Sequence, residues 1–186
     1  MSDIKVASRY AKALLELAIE KKQLEEVTAD IKELLAVAEA NREFQLLLHS
    51  PIVNADKKKN VIHALFGKHA NAITLSFYDI VTRKNRSNVL VSTAKEFVRQ
   101  YNVHKGIQVA YVTTTIPLTD ELRKSFQSIV TDISGMKNIE LVEKINPDLI
   151  GGFVLKVNDK LLDDSVSGKL RTLRTRLAQR YFVKTY

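Results

Sequence analysis

The 186 residues contain no cysteine and no tryptophan, only three prolines and six glycines, and four histidines. Without cysteine there are no disulfides, no thiol nucleophile and no cysteine-ligated zinc. No apolar run approaches the roughly 18 residues that a membrane-spanning helix needs. The opening MSDIKVASRY has no apolar core of signal-peptide type, and no Arg/Ser-rich extension of transit-peptide type precedes the periodic sequence. The expectation is a chain without direct membrane insertion that works in the cytoplasm.

Catalytic patterns are missing too. His49, His63, His69 and His104 are scattered, and His63 and His69 lie across Gly67 from each other, so they share no helix face. Ser167-Gly168-Lys169 has Asp163 where a phosphate loop requires glycine. Asp163-Asp164 stands at a helix start, where carboxylates serve capping and the helix dipole. No nucleophile–base pair and no metal-ligand spacing is present, so the reading is no enzyme, no cofactor and no metal. What is abundant is positive charge: the net charge is +8 and the pI about 9.6. That favours acidic surfaces, which are nucleic acid, anionic lipid or an acidic protein.

The chain divides by periodicity. From Ser2 to about Lys105 apolar residues recur at helical spacing, which predicts six helices near 4–21, 24–40, 42–49, 55–66, 71–83 and 87–104. Ser50-Pro51 ends the third, and Gly67 and Gly106 suit left-handed positions after the fourth and sixth. Leu24, Val27, Ile31, Leu34 and Ala38 form one core-facing stripe of the second helix, and Leu90, Ala94, Phe97, Val98 and Tyr101 one of the sixth. Lys57-Lys58-Lys59 reads as the exposed start of the fourth. After Gly106 the rhythm becomes alternating and β-branched through Ile107–Ile116. A helix capped by Thr119 follows, ending at Gly135, then a strand over 139–145, a hairpin turning at Asn158-Asp159 and a helix from Ser165. The fold class is therefore α+β: a helical bundle over 1–105 and a small α+β domain over 106–186.

The first helix has more apolar surface than one bundle uses. Its polar residues Lys5, Arg9, Lys12, Glu16 and Glu20 fall within about 80°, leaving about 280° apolar or small, whereas an ordinary surface helix shows an arc a little above 100°. Either it runs through the centre of its bundle, or part of it receives a foreign element. The small face Ala7, Ala11, Ala18 would allow close approach of a second helix. In the tail, no Asp or Glu follows Asp164, and Val166, Leu170, Leu173, Leu177 and Tyr181 form a narrow seam flanked by arginines. That helix lies on the sheet with its arginines solvated, takes an acidic helix along the seam, or contacts phosphate backbones. Arg83-Lys84-Asn85-Arg86 is a second basic cluster, read as a solvated turn or as a patch for an acidic surface.

The run DLIGGFVLKVNDKLLDDSVSGKL, from Asp148 through Gly151 and Gly152 to Asp163 and Ser165, has nothing in it that does chemistry; it builds a shape. It resembles the C-terminal signature of the δ subunit of F-type ATP synthases, the oligomycin-sensitivity-conferring protein of mitochondria. Arg9-Tyr10-Ala11-Lys12-Ala13-Leu14 is similar to the opening helix of that family, and Thr113-Thr114-Thr115-Ile116-Pro117-Leu118 to its strand ending in a proline-leucine turn. The resemblance implies a non-catalytic stator subunit that couples proton-driven rotation to ATP synthesis, with one copy per complex. It also implies a peripheral position on the cytoplasmic face of the bacterial inner membrane. In that family the first and fifth helices form a groove for an N-terminal helix of an α subunit of the catalytic head. Here the groove would comprise Ala7, Tyr10, Ala11 and Leu14 with Ile73, Leu75 and Phe77. The implied partners of the C-terminal domain are the b subunits of the peripheral stalk, with Leu170, Leu173, Arg174, Leu177 and Tyr181 as candidate contacts. The alternative is a basic nucleic-acid-binding module.

Overall fold

The computed structural model describes residues 3–136 and 138–180. It separates into two compact units, Met1–His104 and Lys105–Tyr186. The first holds α1 (Asp3–Glu20), α2 (Leu24–Ala40), α3 (Arg42–His49), α4 (Ala55–Phe66), α5 (Ala72–Arg83), a 3₁₀ turn over Ser87–Val89 and α6 (Leu90–Lys105). Their apolar stripes meet in one core that includes Ala7, Leu14, Val27, Ile31, Leu34, Phe66, Tyr78 and Phe97. Ser50 adopts an extended ψ of 123° before Pro51, which stops α3.

Two expectations fail in this unit. Gly67 sits at φ −61°, in right-handed helical geometry. Its missing side chain serves a close approach instead, because a Cβ there would run into the His63 carbonyl. Lys58 is not part of an exposed lysine run: it is 7% exposed, and its ammonium donates to the Leu48 carbonyl at 2.9 Å and the Ser87 hydroxyl at 2.8 Å. Three consecutive lysines spread over about 200° of a helix, so one of them has to face inward. The Leu48 carbonyl is one of the orphan acceptors at the end of α3, and the buried cation satisfies it.

The second unit holds β1 (Ile107–Thr114), α7 (Asp120–Ser134), β2 (Asn138–Ile145), a 3₁₀ turn over Pro147–Leu149, β3 (Phe153–Val157), β4 (Lys160–Asp163) and α8 (Val166–Arg180). The sheet order is β2-β1-β3-β4, with β1 parallel to β2 and antiparallel to β3. The parallel pair is joined by α7, which the Thr119 hydroxyl caps and Gly135 ends at φ 71°. Register pairs Ala110 with Val157 and Val112 with Leu155. Those four are buried, and with Leu118, Phe126 and Val130 they make this unit's core. Phe126 meets Phe153 edge-on at 4.9 Å.

Candidate functional site

Two helices of the first unit line an apolar concavity. Tyr10, Ala13, Leu14 and Leu17 of α1, with Lys21 just beyond its end, face Ala72, Ile73, Ser76, Phe77 and Ile80 of α5 across a trough of about 490 Å³. Leu14 forms its floor at 2% exposure, while Leu17 and Ile80 stand on its rims at 40% and 56%. Tyr10 and Phe77 meet edge to face, centroids 6.3 Å apart. Large apolar side chains on display along two facing walls have the form of a helix-binding groove.

The wall formed by α5 is anchored at two levels. At its start, the Asp30 carboxylate of α2 accepts from the Asn71 amide at 2.8 Å and the Thr74 hydroxyl at 2.7 Å. The Asn71 side chain accepts from the Ile73 amide, so the helix is capped by its own residue and by one 41 positions earlier. Midway along, Asp79 takes Lys59 at 2.8 Å and His63 at 2.8 Å, both from α4. Burial acts to raise the Asp79 pKa, but the hydrogen bonds from Lys59 and His63 outweigh it and hold the carboxyl below its ordinary value. On the α1 side, Gln100 of α6 donates to the Ser8 carbonyl at 3.3 Å and to Glu96 at 3.0 Å.

Of the seven residues that the sequence assigned to the groove, Tyr10, Leu14, Ile73 and Phe77 line it. Three do not. Ala7 and Ala11 are 2% and 0% exposed and face the bundle interior. The close approach that alanines permit is used by the chain's own helices. Leu75 is half-buried but lies about 200° around α5 from Ile73, away from the trough. The sequence reading missed Ala13, Leu17, Lys21, Ala72, Ser76 and Ile80. The signal was there: Tyr10, Ala13, Leu17 and Lys21 recur at helical spacing beside the alanine face, as do Ile73, Phe77 and Ile80.

A second concavity of about 710 Å³ lies on the other flank of Tyr10 and Ala13. Val6 and Arg9 also line it, facing Asn85, Arg86, Asn88 and Val89. The Arg86 guanidinium donates to the Tyr10 hydroxyl at 3.1 Å and lies 6.0 Å from the ring centroid. The cluster 83–86 thus contributes to a lined groove. Asn85 turns the chain there at φ 54°, a region that asparagine tolerates.

In the second unit the signature residues position α8. Gly152 takes φ 76°, and a Cβ on it would collide with the Asp164 carbonyl. Gly151 keeps an ordinary φ, and the positive value falls on Ile150, at 66°. The Gly151 carbonyl accepts from the Val166 amide at 3.0 Å. Asp163 accepts from the Ser165 amide at 3.0 Å and hydroxyl at 2.6 Å, and the Ser165 oxygen accepts from the Gly168 amide at 3.0 Å. Ser165 is thereby the N-cap of α8, and its hydrogen bonds hold the Asp163 carboxyl below its ordinary pKa. Asp148 stands exposed in the 3₁₀ turn, its amide donating to the Asn146 side chain at 3.0 Å.

From that start α8 presents Leu170, Leu173 and Leu177 at 52%, 53% and 52% exposure, so the seam does not lie on the sheet. Arg171, Arg174 and Arg176 flank it, also exposed. Tyr181 lies outside the described residues. Among the described residues no group of three acidic or histidine side chains is placed to hold a metal, and no helix is long and apolar enough to cross a membrane.

Known proteins share this pattern along almost the whole chain. The family described as ATP synthase delta (OSCP) subunit matches residues 6–177. The chain is 37% identical to the ATP synthase subunit delta of Cytophaga hutchinsonii, over 96% of this chain and 97% of that one. It is 35% identical to the subunit delta of Prochlorococcus marinus strain MIT 9301, covering 94% and 97%, and 32% identical to that of Amoebophilus asiaticus, covering 93% and 94%. Among solved structures, a chain of the Toxoplasma gondii mitochondrial ATP synthase hexamer superposes with a TM-score of 0.72 at 22% identity, covering 92% and 97%. At that identity the likeness is one of fold.

Proposed function

This chain belongs to the ATP synthase delta (OSCP) subunit family, the stator component that links catalytic head to peripheral stalk, and we propose how its two units divide that work. The α1/α5 trough receives an amphipathic N-terminal helix from an α subunit of the head. The exposed α8 seam, with its arginines, receives an acidic helical segment of the stalk's b subunits. The chain catalyses nothing itself. It works on the cytoplasmic face of the bacterial inner membrane, held there by the complex, with one copy in each.

The observation that carries this reading is the trough itself: two anchored walls with leucine, isoleucine and aromatic side chains left uncovered. Burying one guest leucine there contributes about 1.5–3 kcal/mol; two or three such anchors make a stable contact after the cost of association is met. Attachment at two sites raises the effective concentration of each, so moderate contacts hold against the torque of the rotor. Within this family the basic charge finds a protein partner, and the nucleic-acid alternative has nothing further to recommend it.

The test is titration of a peptide of the first twenty residues of the cognate α subunit into the full chain. Ser76→Arg places a long cation across the trough from an exposed position on α5. Binding is expected to weaken more than tenfold, about 1.4 kcal/mol or more, with the helical signal and unfolding temperature retained. Unchanged affinity in the variant rules out the trough as the head-binding site.

A further inference from the structure

We infer that the basic groove beside the trough is a second part of the same docking site, and that it reads a carboxylate at one end of the guest helix. The inference rests on the reading of the trough proposed above and adds the guest's chemistry and direction to it.

The two concavities are not separate. Tyr10 and Ala13 line both, so the α1 surface at these residues is a shared ridge. Along α1 and its last turn the basic groove runs from Val6 to Ala13 and the trough from Tyr10 to Lys21. The two together reach from Val6 to Lys21, 15 steps along the chain or about 22 Å at 1.5 Å per residue. A guest of about four turns laid along α1 would therefore have its middle on apolar side chains, one end beside Lys21 alone and the other beside Arg9, Arg86, Asn85 and Asn88.

Among the described residues, no Asp or Glu lines the basic groove. Arg86 makes its hydrogen bond to a phenol, a neutral partner, and is exposed. Hydrogen-bonded to the Tyr10 hydroxyl, the guanidinium is held in place while its remaining N–H groups are available for a carboxylate, which an arginine fork grips with two parallel bonds. Among the described residues Lys21 is the one charged side chain lining the trough, at its far end, so the charge along the site is lopsided towards Arg9 and Arg86. The matching guest is an amphipathic helix whose apolar stripe lies on Leu14, Leu17, Phe77 and Ile80, with Asp or Glu at the end that reaches Arg86. Such a charge contributes orientation and encounter rate more than raw affinity.

The probe is the same α-subunit peptide, titrated into full-length wild type, Arg86→Gln and Ser76→Arg at about 20 mM and about 500 mM salt, with each acidic residue of the peptide changed in turn to glutamine. Arg86→Gln is expected to weaken binding about two- to fivefold at low salt, the scale of an exposed ion pair, and hardly at all at high salt, where the Debye length falls below about 5 Å. One terminal acidic residue of the peptide should show a matching loss on wild type and none on Arg86→Gln. Arg86→Gln binding as tightly as wild type at low salt, a loss of equal size at both salts, or an absence of coupling to any acidic residue overturns the inference. If Ser76→Arg alone weakens binding, the trough stands and the carboxylate reader falls; if neither variant matters, the reading of the trough falls with it.

Discussion

Removing the Asp30 carboxylate tests whether the trough is built by distant parts of the bundle. Asp30 is 9% exposed and Thr74, which it holds, is 0% exposed. Asp30→Ala strips an acceptor from the Thr74 hydroxyl and from the Asn71 amide, at 2.7 and 2.8 Å. A buried donor left without a partner costs about 1–3 kcal/mol, and a lost helix cap about 1 kcal/mol. The Asn71 amide is half-buried and regains water in part, so the sum comes to about 2–4 kcal/mol. For a unit of roughly 100 residues each kcal/mol moves the midpoint by about 4–8 °C, so thermal unfolding followed by far-ultraviolet circular dichroism should show a drop of at least about 8 °C. Affinity for the α-subunit peptide should fall as well, measured well below the new midpoint, because the first turn of α5 carries Ala72 and Ile73 of the trough wall. Asp30→Asn, which keeps one oxygen, should lose less than alanine does. An alanine variant within about 0.5 kcal/mol of wild type would refute the claim that this carboxylate sets the start of α5.

Other perturbations read other parts of the account. Arg99, whose hydrogen bond is the largest influence, and Gln100 hold the Glu96 pKa at about 2. A depressed carboxyl contributes stability above its unfolded value near 4.3, and that contribution should disappear as the pH falls from about 4 towards 2, a dependence that Glu96→Gln should remove from acid titrations. Lys58→Met should cost about 1–3 kcal/mol in urea unfolding, since it removes a charged donor from the Leu48 carbonyl and Ser87 hydroxyl; a neutral result would show that the lysine is idle. Gly152→Ala should destabilise the second unit by more than about 1 kcal/mol from the positive φ alone, with the Asp164 collision in addition. Ile150→Gly should act in the opposite sense, gaining up to about 1 kcal/mol, because a β-branched residue at φ 66° is strained and Ile150 is 67% exposed.

Periodicity located the helices because few prolines and glycines interrupt it, and strand alternation placed the α+β unit after Gly106. The signature residues are legible through the family resemblance; periodicity alone does not show that Gly152 makes room for the Asp164 carbonyl twelve positions on. The trough was half legible. A helical wheel gives the angle of each α1 residue but not which arc the neighbouring helices cover, so Ala7 and Ala11 were placed outside when they lie inside, and Ala13 and Leu17 were passed over. Lys58 was illegible because its partners, Leu48 and Ser87, come from two other segments of the bundle. Arg86 is legible in the sequence only as part of a basic cluster, because the Tyr10 hydroxyl that holds it lies 76 residues away.

The central claim is that this chain is a clamp, holding head and stalk by binding alone. Membranes carrying an ATP synthase stripped of this subunit test it most directly, when wild type or Ser76→Arg protein is added back and both proton-driven ATP synthesis and ATP hydrolysis by the head are measured. Wild type should restore synthesis, Ser76→Arg should restore little of it, and hydrolysis by the isolated head should be the same with either protein or none. Full restoration of synthesis by Ser76→Arg, or a change in the hydrolysis rate of the isolated head on adding the chain, would contradict it.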